Sequence, residues 1–366
     1  MVLPIRIDPG QSLQELADIQ HKMLGALGRL ARLRDQHVDI APTDKEVIHR
    51  VDKTTLYRYT TPTEPRSRVP LVILYALVGR YTVIDLEADR SLVRRLLDTG
   101  HDVYAVDWGH PTKADQFTGI DDYVNDYLDA HVRKICRRCG VDAINMMGIC
   151  QGGVLSLCYA ALHPRRIRNL ITAVTPVDFH ADQEDERADR GFMNVWTRAV
   201  SGSDIDRLVE VFGNVPGEFT GNLFSLMTPG RTFTKYNLDL IEAASDDAKL
   251  LNFLRMEKWL GDRPDQPGEF ARQWLKELYQ QNKLIRGEFV LDGERVDLGH
   301  IDMPVLNILT DTDHVIPPPM TLALKKHVGT SDYSELVVKG GHIGVFVGAK
   351  SHQELAKSIA QWLDSR

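Results

Sequence analysis

The seven residues Met147-Gly148-Ile149-Cys150-Gln151-Gly152-Gly153 set a thiol inside a Gly-x-Cys-x-Gly frame. The frame is that of a nucleophile elbow, the tight strand-to-helix turn that ordinarily carries serine as Gly-x-Ser-x-Gly. Such a turn stands its side chain above the C-terminal edge of a sheet, with Gly148 and Gly152 leaving room around the strained backbone. The positive end of the following helix favours a thiolate. The Gln151 N–H is then placed to donate to an oxyanion, and a second donor is expected from "ALVGR" (76–80), at Val78 or Gly79. A thiolate also needs a base and an orienting acid, in the chain order nucleophile, acid, histidine. Asp311 and Asp313 follow one apolar run in "LTDTDHVIPP" (309–318), and His342 follows the next in "VKGGHIGVF" (338–346). His314 comes too early in that order to be the base and takes a supporting role. The chemistry expected is acyl transfer through Cys150, with His342 as base and an aspartate behind it.

The remaining reactive groups read more plainly. Cys158, in "SLCYAAL", fits a small hydrophobe on an inward helix face. Cys136 and Cys139, in "CRRC", lack a second pair to complete a zinc site and sit on a charged segment, so a solvated helix end is expected and no metal. The basic run Arg133, Lys134, Arg137 and Arg138 reads as a solvated face.

Elements that could hold this set in place alternate along the chain. Strands are expected at 55–60, 69–78, 102–108, 142–148 and 167–176, and helices at 91–100, 121–140 and 153–164. That alternation implies a parallel sheet with helices on both faces. From 178 to 297 it gives way to helical segments broken by Gly and Pro. It then resumes with a strand at 303–310, a strand and loop at 334–342, and a helix at 351–365 that opens on a Ser351/Glu354 capping box. The division expected is 1–177 as the first part of an α/β core, 178–297 as a largely helical cap insertion, and 298–366 as the second part of the core. Residues 11–34 read as a helix with a Ser12/Glu15 capping box and an apolar stripe of Leu13, Leu16, Met23, Leu27 and Leu30; packing on the protein's own core is favoured over docking of a partner.

Bulk properties exclude several classes. The 366 residues are 43% apolar and 26% charged, an ordinary globular balance, and the net charge of −7 gives no argument for nucleic acid or an anionic membrane. Four cysteines in so long a chain suggest a reducing compartment. The N-terminus has no apolar signal core, and no apolar run approaches the ~20 residues that span a bilayer. A soluble cytoplasmic protein is expected.

With those residues in hand, the chain resembles the polyhydroxyalkanoate synthases, and within them the catalytic subunit of the two-component class III enzymes. The resemblance covers nearly the whole chain. It rests on "LYRY", "VPLVILYALVGR", "LDTGHDVYAVDWG", "GICQGGVLSLCYAALHP", "VTPVDF", "FLRMEKWLGDRPDQPGEFARQW", "MPVLNIL", "DHVIPP" and "GGHIG". One departure is His110 in "DWGHP", where an aromatic is expected. The resemblance implies an α/β-hydrolase fold with a mostly parallel sheet, and a triad of Cys150, Asp313 and His342. It implies polymerisation of (R)-3-hydroxyacyl-CoA, with 3-hydroxybutyryl-CoA the expected monomer, and release of CoA. No cofactor is expected, since the CoA thioester is substrate and CoA is product. A second synthase subunit, a homodimer or higher oligomer, and residence on cytoplasmic polyester granules are also implied. Two other readings share the same residues: a cysteine hydrolase acting on thioesters or lactones, and a non-catalytic granule scaffold.

Overall fold

The computed structural model describes residues 38–61, 64–181, 192–227, 239–348 and 351–366, together with Lys235 and scattered positions between 14 and 33. Twelve strands occur among the described residues: β1 (Lys45–Val51), β2 (Thr54–Tyr59), β3 (Leu71–Leu74), β4 (Asp85–Glu87), β5 (Arg90–Ser91), β6 (Val103–Asp107), β7 (Ile144–Ile149), β8 (Ile167–Ala173), β9 (Val290–Leu291), β10 (Glu294–Arg295), β11 (Val305–Thr310) and β12 (Tyr333–Val338). Eight of them form one sheet in the order β1-β2-β6-β3-β7-β8-β11-β12, while β4 with β5 and β9 with β10 make separate hairpins. From β6 to β12 every pairing is parallel; β2 runs antiparallel to both β1 and β6.

Position in the sheet explains the strand sequences. Central strands such as β3 (LVIL) and β7 (INMMGI) are buried throughout, as a parallel strand covered on both faces must be. The edge strand β12 (YSELVV) mixes buried and open positions, and the other edge, β1 (KEVIHRV), is mostly polar and carries a bulge between Val47 and His49. The helix Gln151–Leu162 is buried at every residue but its last, so its apolar sequence is that of a helix enclosed on all sides. The helix Asp129–Cys139 stops at Gly140, whose φ of 66° is the left-handed C-terminal signal.

The expected alternation is present with shifted boundaries. The run 69–78 is a strand only over Leu71–Leu74, because the chain then turns into a loop whose N–H groups bond a side chain rather than a neighbouring strand. The expected helix 121–140 opens as a π-type stretch, Asp122–Leu128, before becoming α-helical. The polar edge strand β1 and the two short hairpins were not expected from the sequence.

The chain divides into two compact units. The larger comprises Ala41–Thr220 and Asp262–Arg366 and contains the sheet. Within it the helices Phe192–Ala199, Gly202–Phe212 and Gly268–Arg272 and the π-type Gln273–Gln280 pack as a layer. Phe270 meets Tyr123 edge-on with centroids 5.5 Å apart, and Phe179 meets Trp274 and Tyr279 at 5.8 and 4.7 Å. The smaller unit comprises Met1–Ile40 and Gly221–Gly261. Its core is Ala244 and Leu250, against which Leu30, Leu33, Leu240 and Leu254 pack, and Arg29 pairs with Asp247 at 2.9 Å. Residues 178–297, read from sequence as one cap, are therefore divided between the two units. Of the apolar stripe, Leu30 lies in this core; Leu13, Leu16, Met23 and Leu27, like the Ser12/Glu15 box, lie outside the described residues.

Candidate active site

Four strands deliver the site from their C-terminal ends, β3 beside β7 and β11 beside β12 with β8 between the two pairs, at the edge where parallel sheets bind ligands. β3 leads into the loop 75–80, β7 into Cys150, β11 into 311–316 and β12 into 339–343. Cys150 sits between β7 and the helix Gln151–Leu162 with φ 54° and ψ −119°, a conformation that costs a non-glycine residue about 1–3 kcal/mol. Neighbouring contacts hold it there. Its N–H donates to the Ala173 carbonyl at the end of β8 (3.0 Å), and its carbonyl accepts from the N–H groups of Gly153 (2.9 Å) and Val154 (3.3 Å). The glycines are required by close approach. A Cβ at Gly148 would run into Ser156 and the Gly152 carbonyl, and one at Gly152 into the carbonyls of Leu74 and Tyr75.

The base and acid meet across the loops after β11 and β12. His342 Nδ1 lies 2.8 Å from Asp313 Oδ2, and both side chains are buried. Asp313 Oδ1 accepts from the N–H groups of Val315 (2.9 Å) and Ile316 (2.8 Å), and Thr310 Oγ1 donates to Oδ2 at 3.4 Å. Burial alone would raise the Asp313 pKa; the His342 charge and these donors outweigh it and hold the carboxyl below its usual range. For His342, burial opposes the charged ring, but Asp313 and then Cys150 prevail, through charge and hydrogen bonding, and raise the imidazole well above 6.5.

Of the two aspartates open from sequence, Asp313 is the one that touches His342. Asp311 is exposed, and its Oδ1 accepts from the Gly340 N–H at 2.9 Å, bracing the glycine loop that carries His342. His314 is half-buried and makes no hydrogen bond to another described residue. In the loop after β3, the Val78 N–H donates to Gln151 Oε1 at 3.2 Å, as does that of Leu77 at 3.0 Å; Gly79 follows in the same turn, half-buried.

Three groups escaped sequence reasoning. The Gln151 side chain, not only its backbone, ties the loop 77–78 to the elbow. Arg80 pairs with Asp107 at 2.8 Å and donates to the Gly109 carbonyl at 3.1 Å, anchoring the same loop to the end of β6. A basic residue after one central strand and an acidic one ending its neighbour was the signal available. Tyr75, buried at the start of that loop, lies within electrostatic reach of Cys150 and Arg263, and burial first, then Cys150, keep its hydroxyl protonated. His110 bonds Asp262 at 2.9 Å. Cys158 is fully buried, Cys136 is buried, and the thiol of Cys139 lies 3.5 Å from the Tyr104 hydroxyl. Among the described residues no three His, Cys, Asp or Glu side chains gather as a metal site, and no helix is long and apolar enough to cross a membrane.

The arrangement can attack an acyl carbon, hold the resulting charge and shuttle one proton. Known proteins narrow the family. The alpha/beta hydrolase fold family matches residues 69–349. Among solved structures, the monoacylglycerol lipase of Paleococcus ferrophilus superposes with a TM-score of 0.50 at 16% identity, covering 85% of this chain and 98% of its own, a likeness of fold alone. Among curated proteins, the poly(3-hydroxyalkanoate) polymerase subunit PhaC of Allochromatium vinosum is 41% identical over 367 residues, covering 100% of both chains. The subunit of the same name from Synechocystis is 41% identical, covering 97% of this chain and 93% of its own. That from Haloferax mediterranei is 38% identical over 90% of this chain and 65% of its own. An elbow thiol in place of serine, on a hydrolase scaffold shared over nearly full length with the first two of these relatives, leaves one assignment: the chain belongs to the poly(3-hydroxyalkanoate) polymerase family of acyltransferases, with the alpha/beta hydrolase fold.

Proposed function

We propose that the protein polymerises (R)-3-hydroxyacyl-CoA, with 3-hydroxybutyryl-CoA as monomer, through a thioester on Cys150. The observation that carries this reading is the thiol at the elbow facing the buried His342–Asp313 pair. His342 takes the Cys150 thiol proton and the sulfur attacks the substrate's thioester carbon; the C–S bond to CoA breaks, and the departing thiolate takes that proton from His342. Thioester exchanges for thioester at little change in free energy, so the acyl group stays activated, whereas a serine ester would lose most of that activation. The 3-hydroxyl of a second unit then attacks the acyl-enzyme and gives its proton to His342, with Asp313 behind the ring. An ester bond forms and the Cys150 sulfur is released for the next monomer. Water must be excluded or the chain is hydrolysed. No cofactor or metal is required. Action with a second synthase subunit, as a homodimer or higher oligomer, on cytoplasmic polyester granules belongs to the same proposal.

The test is to incubate purified protein with 3-hydroxybutyryl-CoA and measure free CoA together with product size. Polymer is the expected outcome. Free 3-hydroxybutyrate alone would make the protein a thioesterase, and no CoA release would make it a scaffold.

A further inference from the structure

Of the two loop donors expected for the oxyanion, Val78 and Gly79, the Val78 N–H is already engaged. Val78 N–H and Leu77 N–H both point to Oε1 of Gln151, at 3.2 and 3.0 Å. A backbone N–H carries one proton, and one spent on a side-chain carbonyl is not free for an incoming oxygen. Gln151 is only 3% exposed, and its carbonyl is held by two donors, so the side chain is fixed. The nitrogen of the same amide has no hydrogen-bond partner among the described residues. Yet it is not sealed off, as Tyr59 Oη, Asn194 Oδ1 and His352 Nε2 are, and so it keeps contact with open space. Gln151 directly follows the nucleophile. Two hydrogen bonds onto an amide oxygen polarise the group and strengthen its N–H as a donor.

We propose that the side-chain amide of Gln151 is the second oxyanion donor, with Leu77 and Val78 as its supports. The role usually held by a backbone N–H of the loop after the early strand passes to Nε2–H, so both donors come from one residue. When the Cys150 sulfur bonds to the acyl carbon, the carbonyl π pair moves onto oxygen. That oxyanion is held by the N–H and the Nε2–H of Gln151. Its collapse re-forms the carbonyl and expels the thiolate of CoA, which takes the His342 proton. The inference rests on the acyl-transfer reading of Cys150. It deepens that reading by naming the group that stabilises the charge.

Two variants of the full chain separate this role from its rivals. Gln151→Leu keeps the side chain's bulk and loses both amide functions. Gln151→Glu keeps an acceptor for Leu77 and Val78 but has no N–H to give. Single-turnover acylation of Cys150 is followed as CoA release from 3-hydroxybutyryl-CoA and, independently, as p-nitrophenol release from p-nitrophenyl acetate, per folded chain counted by thermal melting. Both variants are expected to acylate about 10²-fold more slowly, with KM changed far less. A Gln151→Glu enzyme within threefold of wild type would reduce the side chain to a brace and overturn the proposal. A faster Gln151→Leu enzyme would overturn it too, since freeing the Val78 N–H would then have opened a blocked hole. A wild type that burns p-nitrophenyl acetate but ignores the CoA thioester would sink the substrate reading and leave this comparison intact.

Discussion

Cys150 differs from the two other buried cysteines, Cys136 and Cys158, in its surroundings. Cys158 is enclosed by apolar neighbours that push its thiol up to about 12, and burial raises Cys136 as well; neither has a base. Cys150→Ala is therefore expected to abolish CoA release, and Cys150→Ser to slow it by at least about 10²-fold, since serine ionises poorly and yields a less activated ester. Cys136→Ser and Cys158→Ala should keep most activity, and iodoacetamide should leave Cys158 unlabelled in the folded chain. Polymer formed at near wild-type rate by Cys150→Ala would refute the mechanism. The two aspartates separate as cleanly. Asp313→Asn removes the acceptor of the His342 Nδ1 proton and should cut polymer formation severely while a trapped acyl-enzyme remains visible by mass spectrometry of quenched protein. Asp311→Asn touches only the Gly340 N–H and should stay within a few-fold of wild type; equal losses would assign the wrong acid.

Between elements, the contacts are sensitive to single atoms and single protons. Gly152→Ala would drive a methyl group into the carbonyls of Leu74 and Tyr75, pushing the helix after the elbow off β3. A loss of about 2–4 kcal/mol is expected by chemical denaturation, with activity lost in parallel. The hairpin of β1 and β2 is joined to the helix Asp129–Cys139 through His131. Its Nε2 lies 2.9 Å from Thr54 Oγ1, which itself donates to the Val51 carbonyl, and its Nδ1 lies 3.1 Å from His49 Nδ1. Thr54 must therefore accept from His131, which is neutral, and burial followed by His49 lowers its pKa from 6.5 to about 3. Between those values the unfolded chain binds a proton that the native chain refuses. Stability should thus be full above pH ~6.5 and fall by up to about 1.4 kcal/mol per unit as the pH drops toward 3. His131→Gln should flatten that slope, and an unchanged slope would exclude His131 as its source. This is also where sequence reading reached its limit. Gly-x-Cys-x-Gly and the apolar runs made β7, the elbow and the order of acid and base legible, because each follows from local pattern. The choice of Asp313 over Asp311 came from the family resemblance and not from local pattern; the capture of the Val78 N–H by Gln151 and the Arg80–Asp107 anchor depend on which loops face each other across the sheet edge, and no local pattern encodes that. The strand β1 was missed because KEVIHRV, at a bulged edge, lacks the apolar run of an inner strand.

For the molecule as a whole, the catalytic groups of the proposal all come from this chain, so a second subunit need not supply one. It would act by favouring one conformation or assembly, in proportion to its preference for that state. The isolated chain is expected to be folded and slowly active, with a lag in CoA release that the partner removes; a lag-free chain indifferent to the partner would contradict this. Within the smaller unit, Leu30 and Leu250 share one core, so Leu250→Ala should cost about 2–4 kcal/mol in a denaturant titration, whereas Leu24, 70% exposed, should accept Gln with little change. Finally, β8 and β11 lie side by side, Leu170 opposite Val305, although the whole insertion separates them in sequence. The sheet is continuous across that junction, so the pairing of β8 with β11 closes a loop of more than a hundred residues. A crossover of about a dozen residues would join the same two strands. Closing so long a loop costs chain entropy that grows only slowly with its length, so changes of length within the segment should be tolerated at its exposed turns far better than any change in the β8–β11 register.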